Sequence, residues 1–225
     1  MIAQSQELLC FKKRLSDSLR PGDLDLTTMR VAKHGPVYVA GDAADSVYFI
    51  EAGQLKLLML SAEGKECLLS IHTDGDTFGE LCVAGLESRR ETAIAMEYSV
   101  VKRIACRNFL VHLARHSLLE GFTQYLANRI AEQQETIATL LMVDSEHRLG
   151  ETLLLLAKKL GQPDPHSTRI EQKITHEELS EMVGTTRPRI TQFLSKFRGM
   201  GLIQITAQHS LIIHEQRLAD YLTRL

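Results

Sequence analysis

The sequence predicts an α+β chain: an N-terminal antiparallel β-barrel, one long dimerisation helix and a C-terminal winged helix-turn-helix. Three observations carry that expectation. Residues 29–108 alternate short apolar runs with glycine and acidic turns. Residues 118–143 form one proline-free helical pattern with apolar residues near heptad spacing. Residues 174–197, ITHEELSEMVGTTRPRITQFLSKF, read as two short helices around a glycine, the second opening with basic and hydroxyl side chains. The expected divisions are 1–117, 118–144 and 145–225.

A short helix near Leu8 to Leu19 precedes the barrel. The strand candidates are Val37–Val39, Val47–Ile50, Leu55–Leu60, Cys67–Ile71, Thr92–Ala95 and Val100–Ile104. The breakers between them include Gly41-Asp42, Gly53, Gly64, Asp74-Gly75 and Gly85. Many short strands at regular spacing mean an antiparallel sandwich or barrel. In the long helix, Leu119, Leu126, Ile130, Ile137 and Leu140 fall near heptad positions, with Gln133 in the same seam. That pattern suits a coiled-coil dimer; the alternative is a helix packed on its own barrel. A second amphipathic helix runs from Ser145 to Leu160, its face formed by Leu149, Leu153, Leu156 and Leu160. Residues 161–165, GQPDP, read as a loop.

The helix-turn-helix is argued residue by residue. Thr175 is an N-cap with Glu178 three residues on, the spacing of a capping box. Leu179, Met182 and Val183 give an apolar face. Gly184 stops the helix because it can take positive φ without a Cβ clash. Thr185 or Thr186 caps the next helix, and Pro188 sits in its first turn, where a missing N–H costs nothing. Ile190, Phe193, Leu194 and Phe197 form the buried stripe. Arg187, Arg189, Thr191, Gln192 and Lys196 stay outside, and Arg and Gln can read guanine and adenine edges. Gly199-Met-Gly201 then breaks the helix. Leu202–Ile205, a turn at 207–209 and Leu211–Ile213 read as a β-wing.

The formal net charge is −2, which does not by itself favour nucleic acid. Between Thr185 and Gln204, however, the charged residues are Arg187, Arg189, Lys196 and Arg198, with no acid. Such a patch supports limited phosphate contact. No apolar run approaches the roughly 20 residues a bilayer demands. The N-terminus, MIAQSQELLCFKKRL, has no signal-peptide core, so a cytoplasmic protein without membrane contact is expected. Cys10, Cys67, Cys82 and Cys106 are scattered without a C-x-x-C and read as reduced residues in or near a core. His72, and His112 with His116 four residues apart, read as core or solvated histidines, and no metal site is expected. Haem remains a further candidate effector. No P-loop, G-x-S-x-G, H-E-x-x-H or catalytic carboxylate pair is present, so no enzyme and no catalytic residue is expected.

A barrel, a dimer helix and a winged helix-turn-helix in this order resemble the cyclic-AMP receptor protein/FNR (CRP/FNR) family of bacterial transcription regulators. The most specific match is Asp76-Thr-Phe-Gly79-Glu80-Leu81 with Arg89-Arg90-Glu91-Thr92-Ala93 downstream. This is similar to the family's phosphate-binding cassette in its cyclic-nucleotide-binding jelly roll. Gly41-Asp42 and Tyr48–Gly53 match its barrel turns. The resemblance implies effector contacts at Gly79, Glu80, Leu81, Arg89, Arg90, Gln133 and Gln134. Two positions depart from the cyclic-AMP pattern. Arg90 stands where serine or threonine is usual, and Gln133-Gln134 stand where threonine and serine hold the adenine. The effector is therefore left open among a cyclic nucleotide, another small anion and none. An architectural alternative has Glu80 and Arg89 satisfying each other. In the DNA reader, Arg187 matches a base-contacting arginine, while Pro188 replaces a glutamate that accepts from cytosine.

The function these readings point to is a homodimeric, sequence-specific DNA-binding transcription regulator controlled by an effector in the barrel. Thr185 and Thr186 join Arg187, Arg189, Thr191, Gln192 and Lys196 as candidate DNA contacts. RNA polymerase is an expected partner. The rival is a nucleotide-binding module whose winged helix docks a protein.

Overall fold

The computed structural model describes residues 2–19, 26–60, 66–165, 167–171, 174–206 and 210–224. It forms two compact units, Met1–Gln133 and Gln134–Leu225. The expected Gly64 breaker and the turn at 207–209 lie outside the described residues.

In the first unit, α1 (Ile2–Ser18) precedes β1 (Leu26–Val31), β2 (Pro36–Tyr38), β3 (Ser46–Ala52), β4 (Leu55–Leu60), β5 (Glu66–His72) and β6 (Thr77–Phe78). A 3-10 turn, Glu80–Ala84, leads to β7 (Thr92–Ala95) and β8 (Ser99–Ala105), then α2 (Cys106–Arg115) and the start of α3 (Leu119–Met142). The strands build two antiparallel four-stranded sheets, β1-β8-β3-β6 and β2-β7-β4-β5. This jelly-roll-like pair of sheets is the sandwich among the two arrangements the strand spacing allowed, and the described strands do not close into a barrel. Period alone does not distinguish a sandwich from a barrel.

β3 shows why this half has two cores. Tyr48 and Ile50 face one core with Val31, Tyr38, Leu55, Leu57, Phe78 and Val101. Val47 and Phe49, on the opposite face, join Phe11, Leu15, Cys82, Phe109, Leu113 and Phe122. A strand buried on both sides reads as an unbroken apolar run. The second core is where α1, α2 and the first turns of α3 cover the sheet. It is closed by aromatic packing, with Phe109 edge-on to Phe122 at 5.2 Å between ring centroids.

The second unit holds the end of α3, then α4 (Ser145–Leu160), β9 (Gln162–Asp164), β10 (Ser167–Ile170), α5 (His176–Val183), α6 (Arg187–Gly199), β11 (Ile203–Ile205), β12 (Leu211–Ile213) and α7 (Glu215–Leu222). Its sheet runs β11-β12-β10-β9, all antiparallel. Leu149, Leu153 and Leu156 of α4 are buried as expected, while Leu160 is half-buried. The segment read as a loop at 161–165 contains β9. Its Pro163 is tolerated because β9 is an edge strand, where a missing N–H interrupts no ladder. The wing strands pair Ile203 with Ile213 and Ile205 with Leu211.

No described helix is long and apolar enough to cross a membrane. Cys82 is buried and Cys106 half-buried, but Cys10 and Cys67 are exposed, which corrects the expectation of four core cysteines. His112 is buried, with Nε2 2.8 Å from the Ser18 hydroxyl. His72 is also buried, with Nε2 2.9 Å from the Ser70 hydroxyl.

Candidate effector cassette and nucleic-acid interface

The cassette begins with a left-handed residue. Gly79 has φ 75° and caps the 3-10 turn that carries Glu80 and Leu81. A Cβ here would come within 2.7 Å of the Arg89 guanidinium and 3.1 Å of the Tyr48 ring. Glycine is required twice over, by conformation and by space.

Arg89 is turned inward, with 4% of its surface exposed. Its guanidinium donates to the carbonyls of Gly79, at 2.8 Å, and Ser46. It also lies 4.5 Å over the Tyr38 ring and 5.3 Å from the centre of Tyr48, a stacking that a planar cation favours. Arg90 beside it is exposed, as is Leu81. Glu91 is buried and accepts from the Tyr38 hydroxyl at 2.8 Å. Burial first, and then the Glu91 carboxylate, push the Tyr38 phenol far up, so it stays a donor.

Glu80 does not pair with Arg89. Its carboxylate meets Arg129 of α3 at 3.2 Å, with both side chains mostly buried. The same guanidinium donates to the Thr77 carbonyl at 3.3 Å, and the Tyr125 hydroxyl donates to that carbonyl at 2.9 Å. α3 therefore reaches the cassette through Tyr125 and Arg129, one helical turn apart. Gln133 and Gln134, further along α3, are exposed. Three polar atoms around Gly79 are buried without a partner: Thr77 Oγ1, Glu80 Oε2 and Arg89 Nε. Unpaired polar atoms are costly in an interior. All three belong to the cassette residues or to the arginine that holds the Gly79 carbonyl.

The sequence assigned no role to Thr77 and Glu91, which stand inside the matched motifs, and did not single out Tyr38, Tyr125 and Arg129. The i, i+4 spacing of Tyr125 and Arg129 could have flagged a second face on α3. That face is distinct from the seam. Tyr125 and Phe122 are buried, whereas Leu119, Ile130 and Ile137 are 45%, 55% and 56% exposed. Leu126 is half-buried and packs against the helix-covered core. The side chain of Leu140 lies outside the described residues.

In the helix-turn-helix, the capping box is complete. Thr175 Oγ1 accepts from the Glu178 amide at 3.1 Å, and the Glu178 carboxylate accepts from the Thr175 amide at 2.8 Å. Gly184 ends α5 with φ 66°. Thr186 is the N-cap residue of α6 by backbone geometry, without a side-chain cap bond, and Pro188 sits in the first turn. Ile190, Leu194 and Phe197 are buried. Arg187, Arg189, Thr191, Gln192 and Lys196 are exposed, as is Thr186, while Thr185 is half-buried.

Two of these outward groups already have partners. Thr191 Oγ1 lies 2.9 Å from His176 Nδ1 and donates to the Arg187 carbonyl at 3.1 Å, tying α6 to α5. Lys196 donates to both oxygens of Glu146 at 2.7 and 2.9 Å, and the Tyr221 hydroxyl joins the same carboxylate. The bond to Glu146 pushes the Lys196 amine up and keeps it charged. Arg187, Arg189 and Gln192 present their polar ends from the start of α6, the part of a recognition helix that meets base edges.

Family models match both halves. Residues 28–116 match the cyclic nucleotide-binding domain, and residues 147–221 match the Crp-like helix-turn-helix domain. The chain is 29% identical over 186 residues to a CRP-like cAMP-activated global transcriptional regulator of Mycobacterium tuberculosis, covering 81% of this chain and 82% of that one. It is 27% identical over 227 residues to a global nitrogen regulator of Synechocystis, covering 99% and 98%. Among solved structures, a CRP-family transcriptional regulator from Thermus thermophilus is similar, with TM-score 0.71 and 25% identity over 87% of this chain and 96% of that one. The c-di-GMP-responsive global regulator CLP of Xanthomonas campestris shares the fold, with TM-score 0.74 and 18% identity over 92% and 99%.

Proposed function

The chain belongs to the CRP/FNR family of transcription regulators, and on that premise we propose that it is a homodimer that binds its own operator through α6 under control of a small polar effector. The observation that carries the DNA reading is the division of α6: Ile190, Leu194 and Phe197 are buried, while Arg187, Arg189 and Gln192 are exposed at its N-terminal half. We read residues 1–117 as the effector unit, 118–144 as the dimer helix and 145–225 as the DNA-binding unit. Thr185, Thr186 and Lys196 serve phosphate contact or positioning in this reading. Pro188, which has no donor or acceptor on its side chain, leaves its base position to Arg189 and Gln192. The work is binding without a catalytic step, in the cytoplasm, with RNA polymerase as the protein partner.

The effector reading rests on the unpaired atoms around Gly79. Glu80 Oε2 needs a donor, such as a hydroxyl, and Arg89 Nε needs an acceptor. The other Arg89 nitrogens are held by the Gly79 and Ser46 carbonyls. A phosphate gripping the guanidinium with two bonds would have to displace them, at roughly 1.5–3 kcal/mol each. We therefore expect cyclic AMP and cyclic GMP to leave the melting temperature unchanged, since a ligand of the native state must raise it by mass action. A clear rise with either would overturn this part of the reading.

DNA binding is tested by selecting operators from a random duplex pool and titrating the product by fluorescence anisotropy. Affinity should fall as salt rises, through counterion release. Selection of no duplex would remove the DNA reading and favour a winged helix that docks a protein.

A further inference from the structure

His176 is the first residue of α5, and Thr191 stands one turn into α6, four residues after Arg187. The Thr191 hydroxyl donates to the Arg187 carbonyl at 3.1 Å. His176 Nδ1 lies 2.9 Å from the same hydroxyl oxygen. A hydroxyl has one proton to give and two lone pairs to receive. That proton is spent on the Arg187 carbonyl, which can only accept. The contact with His176 therefore runs the other way: Nδ1 carries a proton and donates it to Thr191 Oγ1. The bonds of the hydroxyl thus set the state of the ring.

We propose, on the DNA reading of α6 given above, that His176 and Thr191 are positioning residues for Arg187 and that Thr191 is not itself a reader. The tie runs from His176 Nδ1–H to Thr191 Oγ1, then from the Thr191 hydroxyl to the Arg187 carbonyl. It fixes the first turn of α6 against the start of α5. Residues four apart share one helix face, so the tie acts on the face from which Arg187 projects. Ile190, Leu194 and Phe197 anchor the helix by burial, but apolar packing is non-directional. The hydrogen bonds restrict how far α6 can roll about its axis.

That roll matters more to some contacts than to others. An arginine that grips a guanine edge with two bonds depends on its angle of approach. Phosphate contacts carry no sequence information. The tie therefore serves discrimination between sequences more than bare affinity. Thr191 cannot give its proton to a base edge without releasing the Arg187 carbonyl, which makes it the middle of a relay.

Two measurements on the full chain test the assignment. In long-range nitrogen–proton NMR spectra of the free protein, His176 Nδ1 should carry a proton, with His176→Phe identifying the signals. Those signals should move in Thr191→Val. Anisotropy titrations then compare the selected operator with duplexes changed at one base pair at a time. Arg187→Ala identifies the pair that Arg187 reads, as the one where discrimination is lost. His176→Phe and Thr191→Val should each lower discrimination at that same pair by roughly two- to tenfold, the effect of one hydrogen bond. Affinity for unrelated duplex should not change. The double variant should lose no more than either single one, because the same tie is broken. His176→Asn, whose amide nitrogen is also bonded to Cγ, and Thr191→Ser, which keeps the hydroxyl, should restore most of the loss. Thr191 is exposed and His176 half-buried, so the variants should fold, as thermal melts will show.

An Nδ1 without a proton would overturn the proposal. So would unchanged discrimination at the Arg187 pair, a loss confined to another pair, or an equal loss on unrelated duplex. Selection of no duplex would remove the DNA reading and the positioning role with it. That failure is distinguishable, because the nitrogen spectrum reports the tie without DNA.

Discussion

Arg89 illustrates what one residue does when its partners are known. Its fork joins the Gly79 and Ser46 carbonyls while its plane stacks on Tyr38. Arg89→Met should bare both acceptors and lower stability by roughly 1–3 kcal/mol for each one left dry, read from the denaturant midpoint. Arg89→Lys should not restore it, because an ammonium cannot reproduce the planar fork and the stacking. On α6, the contrast is between Arg187 and Lys196. Arg187→Ala should weaken operator binding by about tenfold or more, as expected for a base-reading arginine worth roughly 1–3 kcal/mol. Lys196→Ala should do less, since Glu146 already neutralises its charge. Anisotropy titrations of both variants check the order, and a larger loss at Lys196 would reverse the assignment. The sequence made Arg89 and Lys196 legible as basic residues in the right motifs. It did not reveal their partners, because Ser46, Tyr38, Glu146 and Tyr221 are distant in the chain.

At the scale of elements, local chemistry decides where helices begin. The capping box predicted for α5 is present. Thr175→Ala should cost about 1 kcal/mol, the usual effect of losing an N-cap. At α4, Asp144 accepts from the amides of Glu146 and His147 at 2.8 and 2.9 Å. The His147 bond foremost holds its carboxyl below the ordinary 3.8. A depressed carboxylate stabilises the fold above its ordinary value and loses that contribution as pH falls through the folded one. The stability gap between the native chain and Asp144→Ala should therefore be full at neutral pH and close in acid, in thermal melts across pH. Helices α4, α5 and α6 are readable because caps and apolar periodicity are local. β9 escapes a local reading because Pro163 argues against a strand until the edge position is known.

At the scale of the molecule, α3 carries two faces with different fates. Phe122 and Tyr125 are buried in the first unit, while Ile130 and Ile137 remain more than half exposed. Exposed isoleucines at seam spacing suit a partner helix. Ile130→Glu with Ile137→Glu should convert the dimer to monomer in sedimentation equilibrium without lowering the melting temperature much, because neither side chain is in the core. Operator affinity should fall with it, since two half-sites are read by two copies. A variant that stays dimeric would remove these residues from the interface.

Order along the chain was set by sequence alone: strands, a long helix, then a capped helix-turn-helix and wing. Those features depend on residues a few positions apart, where periodicity, caps and turns act. Tertiary structure decided that the strands form two sheets, that Arg129 rather than Arg89 meets Glu80, and that Glu146 holds Lys196. Each of these joins residues separated by tens of positions. Burial pairs them by shape and charge, which no local pattern records.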